Sequence, residues 1–598
     1  MTRILVFSPY ALWTIHTIYE KTIAQACRVR GAEIQYLLCD GLLPECDLHW
    51  DSKANSPRPF DLCQRCQTTV KADMEEVGMP HRWLGELVGE SARTAAFTWA
   101  QSLKPNDFRD ASFNEAPIGQ WVLSSMISYF RKYPPDLNNW HAVNVYRGFL
   151  YSAAIVVIGV QNYLDENEVD SALLFNGRQS ITRVAMELFQ RRGIRVLTHE
   201  RAEYNRGHIN VKPNAHCMSL YPFKEYWKTW AQVPLTRPSL EAARAWLTQR
   251  QSGVNLAWIP FNRFAEPDIS LRQRLRLSKE KRLWTLFTSS TDETAGDPDM
   301  KGPFDSQTSW VRDVVRWVSS RDDIQLVIKV HPNLGGNLYI GKATSELRLY
   351  EEMKETLPPN IRIVLPEDEV SAYSLAKESD VGLTFGSIMG LEMAMLGKPV
   401  LVASRALYED GSQFLTVRSK DELPAMLERC MQPFSAREIR REAFRLAYYY
   451  VCQFELAFPA ITVLNIYEAE TNYTKKEELG VGFDASLDRI CNFLIEGTSL
   501  FDSPTEEALS RSTAVEDAFF DELENAGALA VGPPGPAESD ATIAPTVGNP
   551  FAAKNGKRRS SLVKVGRTIE KSIRRGLSKA LKSEDLELSG RNSEEARK

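Results

Sequence analysis

The chain has 598 residues, 43% of them hydrophobic and 25% charged, with a formal net charge of −5. That length exceeds a single core and predicts two domains with additions, while the composition is that of an ordinary globular protein and excludes a fibrous or wholly disordered one. Nine cysteines behind a start that reads as a strand rather than a leader argue for reduced thiols or a metal, not a disulfide scaffold.

The N-terminus places one early base, Arg3, and a short apolar run before a Ser-Pro turn, so it is expected to be a first strand with no export implied. Strand-like 3–7, helical 16–30 and strand-like 34–38 make a βαβ start, and no GxGxxG follows the first strand. His16, early in that helix, follows the loop Ser8-Pro9-Tyr10. A lone histidine there is either partly buried or a contact to a substrate.

Residues 39–66 interrupt the pattern and carry Cys39, Cys46, Cys63 and Cys66. Cys63-Gln64-Arg65-Cys66 has knuckle spacing, and the other two thiols complete a set of four, so a structural zinc is expected against the alternatives of scattered thiols or a redox pair. The apolar run 148–164 is broken by polar residues and suits a buried helix, not a bilayer span.

Strand-like 172–175, helical 182–192 and strand-like 194–198 resume the alternation. Asn176-Gly177-Arg178 and His199-Glu200-Arg201 stand at the ends of those strands, where α/β sheets bind ligands. Arg178 suits an anion held by its two-pronged guanidinium, although Asn-Gly is also a plain turn dipeptide.

The N-terminal domain is expected over 1–260 and the second over 280–475, joined by helical sequence. In the second, an apolar run from Arg282 enters Thr288-Ser289-Ser290-Thr291-Asp292-Glu293, and a later strand ends in Lys329-Val330-His331-Pro332-Asn333. A histidine at a strand end stopped by proline is placed to donate to a phosphate oxygen or act as a general acid. The stretch 380–402 reads as strand, turn at Phe385-Gly386-Ser387, helix, and strand after Gly397-Lys398-Pro399. Gly386 would admit a phosphate to the helix start, Ser387 adds a hydroxyl, and Glu392 suits a ribose diol. The plain alternative is a helix cap and a carboxylate complementing the dipole.

Gly390-Leu391-Glu392-Met393-Ala394 and Gly397-Lys398-Pro399-Val400 resemble the donor-nucleotide segment of bacterial capsule and surface polysaccharide glycosyltransferases of GT-B type, with Met393 interposed before the alanine. TSSTDE and the His-Pro pair resemble two more turns of that group, and Asn176-Gly177-Arg178 and Glu200-Arg201 resemble its cleft-facing turns. The resemblance implies an α/β protein of two Rossmann-like doubly wound domains facing a cleft, and an enzyme moving a sugar from a nucleotide-sugar donor to a surface or capsular polysaccharide, or a lipid-linked glycan. On it, His331 is the catalytic acid or phosphate contact and Asp292 or Glu293 the base. Ser289, Ser290, Thr291, Lys329, Gly386, Ser387 and Glu392 bind the donor, and His16, Asn176, Arg178 and Glu200 the acceptor. Catalysis is expected to need no metal or other cofactor. A CDP-polyol phosphotransferase, a nucleotide-sugar 2-epimerase and a non-catalytic nucleotide-binding scaffold are the rivals.

Residues 501–553 are rich in Pro, Gly, Ala, Ser and acids and are expected to be a disordered linker. Residues 554–582 are strongly basic, and Leu562, Val565, Ile569, Ile573, Leu577 and Leu581 recur on one helical stripe. Such a helix suits an anionic membrane surface, which would make the protein cytoplasmic and peripheral on the inner membrane face. No nucleic-acid partner is expected.

Overall fold

The computed structural model describes residues 1–48, 61–252, 270–290, 297–336, 342–465 and 468–525. Two sheets organise them. In the N-terminal lobe β1 (Arg3–Ser8), β2 (Glu33–Leu38), β3 (His81–Trp83), β4 (Ser171–Phe175) and β5 (Arg195–Arg201) run parallel, and β6 (His208–Pro213) returns antiparallel on β5. The alternation of side chains along each strand feeds two cores, one on each face of the sheet. Leu5, Phe7, Ala172 and Leu174 enter one, under the helices Trp140–Glu166 and Ser180–Arg191. Ile4, Val6, Leu173 and Leu197 enter the other, under the helix Thr14–Val29.

The helix Trp140–Glu166 is long and apolar enough to cross a bilayer, yet 72% of its most apolar window is buried inside the protein. Its hydrophobicity is that of a core helix packed all round.

The C-terminal lobe is a six-stranded parallel sheet of β7 (Arg282–Phe287), β8 (Ile324–Lys329), β9 (Ile361–Val364), β10 (Val381–Thr384), β11 (Val400–Val402) and β12 (Phe414–Thr416), in the order β12-β11-β10-β7-β8-β9. It too has a core on each face, with Trp284, Leu286, Leu326 and Ile328 on one side and Leu283, Phe287 and Val327 on the other. Strand order reverses around β7, and the β7, β8 and β10 turns lie together at the carboxyl edge. That is where a doubly wound sheet binds its ligand.

The chain then crosses back. After the helix Ala436–Ala447 a π-helical turn, Tyr448–Phe454, leads into β13 (Leu456–Ala457), which pairs antiparallel with β6 of the N-terminal lobe. The helix Ala485–Glu496 buries Leu487, Ile490 and Leu494 against that lobe's second core. Within the expected span 280–475 the chain therefore leaves the C-terminal lobe at Leu456, because the apolar segment after Phe454 completes the other sheet. Two Rossmann-like lobes with a returning chain make the GT-B architecture that the sequence predicts.

The expected disordered linker is corrected over 501–525. The helices Glu506–Leu509 and Ala514–Asn525 form, and Phe519, Phe520 and Leu523 are buried in the C-terminal lobe. The acidic face explains why composition misled: Arg445 holds Glu516 with two hydrogen bonds, of 2.9 and 2.7 Å, and Arg437, Arg440 and Arg441 pair with Asp521, Glu524 and Asp517. Residues 526–553 and the basic segment 554–582 lie outside the described residues.

Candidate active site

The turns after β7 and β8 are built by short-range hydrogen bonds that their residue types dictate. Thr288 N–H donates to the Lys329 carbonyl at 3.1 Å, and His331 N–H donates to Thr288 Oγ1 at 2.8 Å, so the two strand ends are tied side by side. Gln307 clamps Ser289 by accepting its N–H at 2.6 Å and donating to its carbonyl at 3.2 Å. Ser289 Oγ is buried with no hydrogen-bond partner among the described residues. Ser290 is buried beside it.

Pro332 ends β8, and Asn333 N–H donates to His331 Nδ1 at 3.2 Å. An Nδ1 that accepts leaves the proton of the neutral ring on Nε2, so the Asn333 contact sets the tautomer in which Nε2–H is the donor. Lys329, 4% exposed, is pushed down to about 8, chiefly by burial. Thr291, Asp292 and Glu293 lie outside the described residues.

The turn after β10 differs in part from its sequence reading. The backbone of Gly386 has φ of 123°, and a side chain there would meet the Arg405 carbonyl at 2.5 Å, so the glycine is required by the loop that follows β11. The helix Met389–Met395 has seven residues, and its first N–H groups are taken up internally: Met389 donates to Ser387 Oγ at 3.3 Å and Gly390 to the Ser387 carbonyl at 3.0 Å. Ser387 thus closes the turn just before the helix. Glu392 is 1% exposed, and its Oε1 is held by Arg250 and by Tyr373 Oη. Burial raises its pKa against the pull of Arg250. The ribose role expected for Glu392 is replaced at Oε1 by a buried ion pair, while Oε2 has no hydrogen-bond partner among the described residues.

In the N-terminal lobe His16, Asn176 and Glu200 converge. His16 Nε2 lies 3.3 Å from Glu200 Oε1, and Asn176 Nδ2 donates to Glu200 Oε2 at 2.8 Å. Asn176 adopts the left-handed conformation, φ 62°, and its Oδ1 accepts from the Arg178 and Gln179 N–H groups at 2.9 and 3.2 Å, which holds the turn leading into the helix Ser180–Arg191. The His16 ring stacks near Phe175, 3.9 Å between centroids. Burial, with the Arg201 charge added, holds its pKa well below the ordinary histidine value, so the ring is neutral and Nδ1 is a buried acceptor with no partner among the described residues. Arg178 is buried, and donates to Ser124 Oγ at 2.7 Å and Ser128 Oγ at 3.3 Å, which anchors the helix Leu123–Phe130.

Two residues here gave no sequence signal. Asp47 is a buried hub that accepts from Tyr10 Oη at 2.6 Å, Ser180 Oγ at 2.8 Å and Ser125 Oγ, and so positions the helix Leu123–Phe130. Arg131, just after that helix with φ of 48°, reaches the other lobe and donates to the Asn333 carbonyl at 3.0 Å and Ser290 Oγ at 3.4 Å. An arginine between Phe130 and Lys132 has no motif. Only the left-handed turn and the fold aim it at the His331 loop.

The four thiols do not make the expected metal set. All nine cysteines are free, and among the described residues the one group of three or more ligating side chains whose donor atoms lie within 4.8 Å of one another is His216, Asp297 and Asp299. Cys39 and Cys46 pack on the first hydrophobic core instead. Burial raises the Cys39 pKa and pushes Cys66 up to about 11, as for thiols used as small apolar groups.

No protein-family model and no curated protein matches this sequence. Among solved structures, the chain is similar to the β-Kdo 2,4 transferase of Thermosulfurimonas dismutans KpsC, with 16% identity, 47% of this chain and 79% of that one covered, and a TM-score of 0.32. It is also similar to the spinosyn rhamnosyltransferase SpnG, with 12% identity, 75% and 95% covered, and a TM-score of 0.24. The Methanocaldococcus jannaschii UDP-GlcNAc 2-epimerase, in complex with UDP-GlcNAc and UDP, covers 75% of this chain and 100% of its own at 11% identity, with a TM-score of 0.23.

Proposed function

We propose that the protein is a glycosyltransferase that moves a sugar from a nucleotide-sugar donor to a surface or capsular polysaccharide acceptor. The observation that carries this reading is the meeting of Arg131 from one lobe with Ser290 and Asn333 of the other, beside a His331 whose tautomer is set by Asn333. The reaction breaks the bond from the anomeric carbon to the nucleotide phosphate, and negative charge builds on that phosphate. A guanidinium and an Nε2–H donor at the strand ends are what the transition state requires.

The acceptor hydroxyl must lose a proton as it attacks. The neutral His16, with Glu200 behind Nε2 and its Nδ1 lone pair uncommitted, has the base-and-orienting-carboxylate arrangement for that step. Asp292 and Glu293 are the other carboxylates proposed for it. Arg178, tied to Ser124 and Ser128, supports the helix that carries Arg131 toward the donor. The basic stripe of 554–582 supports a hold on an anionic inner membrane face, where a lipid-linked glycan would be presented. Liposome co-sedimentation unchanged by removal of 554–582 would refute that hold.

A thermal-shift panel of CMP, CDP, UDP and GDP tests the donor site. One nucleotide should raise the midpoint in the wild type and fail to do so in Arg131→Ala. Equal shifts in both, or none with any nucleotide, would oppose the reading, and formation of an epimer from a nucleotide sugar without acceptor would replace it.

A further inference from the structure

His216 and the pair Asp297 and Asp299 belong to different lobes. His216 follows β6, and its backbone lies against the Asn176-Gly177 turn: Cys217 N–H donates to the Asn176 carbonyl at 2.8 Å, and a side chain on Gly177 would come within 3.3 Å of His216 Cα. Asp297 and Asp299 lie on the loop after β7, which is pinned to the end of β11 where Arg405 Nε donates to the Asp299 carbonyl at 3.4 Å. This contact therefore joins the cleft turn of one lobe to the donor-side edge of the other.

His216 Nε2 is 3.2 Å from Asp297 Oδ2 and 3.5 Å from Asp299 Oδ2. Those separations suit three ligands sharing one ion, since bonds of about 2.0–2.2 Å at roughly tetrahedral angles leave ligand atoms about 3.3–3.6 Å apart. The orientation agrees. His216 Nε2 and Asp297 Oδ2 are both buried and in contact, and among the described residues neither has a well-aligned hydrogen bond, so their lone pairs are open to a shared ligand. Asp297 Oδ1 accepts from Asp299 N–H at 3.0 Å, which turns Oδ2 toward His216.

Charge points the same way. The nearest guanidiniums, Arg183 and Arg405, are already paired with Glu187 at 2.8 Å and Glu409 at 2.9 Å. Two carboxylates beside a histidine that is 2% exposed favour a dication that neutralises them. Asp299, whose side chain is 57% exposed, gives the ion a way in and room for water ligands.

We propose that His216, Asp297 and Asp299 form a site for a divalent cation of the manganese or zinc class, which fastens the two lobes to each other. The site is independent of the transferase reading, because it is defined by lobe contact and not by turnover. Imidazole and carboxylates suit both ions, but the free cysteines would compete for zinc, so manganese is the discriminating probe.

The experiment titrates chelator-stripped full chain with Mn²⁺, reading free Mn²⁺ by electron paramagnetic resonance. The expected result is one ion per chain, with affinity lowered at least about tenfold in His216→Ala and in Asp299→Asn. Mn²⁺ should also slow hydrogen exchange over 214–219 and 297–302 in the wild type but not in Asp299→Asn. If His216→Ala fails to fold, Asp299→Asn decides alone, since that exposed side chain can be changed without a cavity. No Mn²⁺ bound at millimolar concentration, or binding and exchange equal in wild type and Asp299→Asn, overturns the proposal.

Discussion

Arg131 of the N-terminal lobe donates to the main-chain carbonyl of Asn333 in the C-terminal lobe at 3.0 Å, and that same Asn333 donates its N–H to His331 Nδ1 at 3.2 Å. The lobe contact and the tautomer of the strand-end histidine thus share one residue. Asn333 is therefore the coupling between the Arg131 contact and the Nε2–H tautomer.

That coupling makes Arg131 testable. Arg131→Ala should lower kcat/KM roughly 10–100-fold, the range for losing a charged hydrogen bond of about 1.5–3 kcal/mol. Arg131→Lys should not restore it, because an ammonium does not present two fixed N–H groups to the Asn333 carbonyl and Ser290 Oγ together. Steady-state kinetics with saturating acceptor distinguish these outcomes, and full activity in Arg131→Lys would contradict the geometry.

Arg250 and Glu392 form a buried pair, with the guanidinium also over the rings of Tyr204 and Trp246. Removing one partner strands the other charge, so Arg250→Ala should destabilise the protein by about 3–5 kcal/mol in denaturant titration. A loss below about 1 kcal/mol would mean that Glu392 is solvated and free for a ribose.

Glu516 is 0% exposed, grips Arg445, and also accepts from Leu235 N–H at 2.8 Å. Glu516→Ala should release the helix Ala514–Asn525, expose Phe519 and Phe520, and shift limited proteolysis to sites beyond Phe501. Proteolysis identical to wild type would show that the apolar contacts alone hold that helix.

Two buried histidines make stability fall on the acid side. Burial lowers the pKa of His208 to about 4 and holds His16 well below 6.5, whereas an unfolded histidine protonates near 6.5. Both contribute stability that is fully present above pH 6.5, where neither state binds the proton. It is lost as pH falls from 6.5 toward the folded values, because only the unfolded chain takes up protons in that window. The unfolding midpoint should fall between pH 6.5 and 4, and less steeply in His208→Gln. An equal slope in that variant would remove His208 from the account.

Much of this architecture was legible in the sequence because parallel strands buried on both faces read as apolar runs. The strands of the opening unit, 381–384 and 400–402, stand where the sequence predicts them. β3 and β6 were not legible, since His81-Arg82-Trp83 is a short polar edge and β6 carries Asn210 and Lys212 in buried positions. At the site, the strand-end position of His331 was legible from the strand and its proline, and the grouping of His16 with Asn176 and Glu200 was implied by the family resemblance. Arg131, Asp47 and His216 were not, because their partners lie far away in sequence and only the packed lobes bring them together. The cysteine spacing of 39–66 suggested a metal that the folded thiols do not converge to hold, and the acids of 501–525 looked unpaired only because their arginines are on another helix.

The central claim is that His331 assists departure of a nucleotide from a sugar at the strand-end cluster. Its most direct measurement is nucleotide release from a panel of nucleotide sugars by wild type and by His331→Ala, with circular dichroism confirming equal folding. The account predicts release from at least one donor by the wild type and a loss of about 10²–10⁴-fold in the variant. Release at the same rate by both proteins, or by neither with any donor, would contradict it.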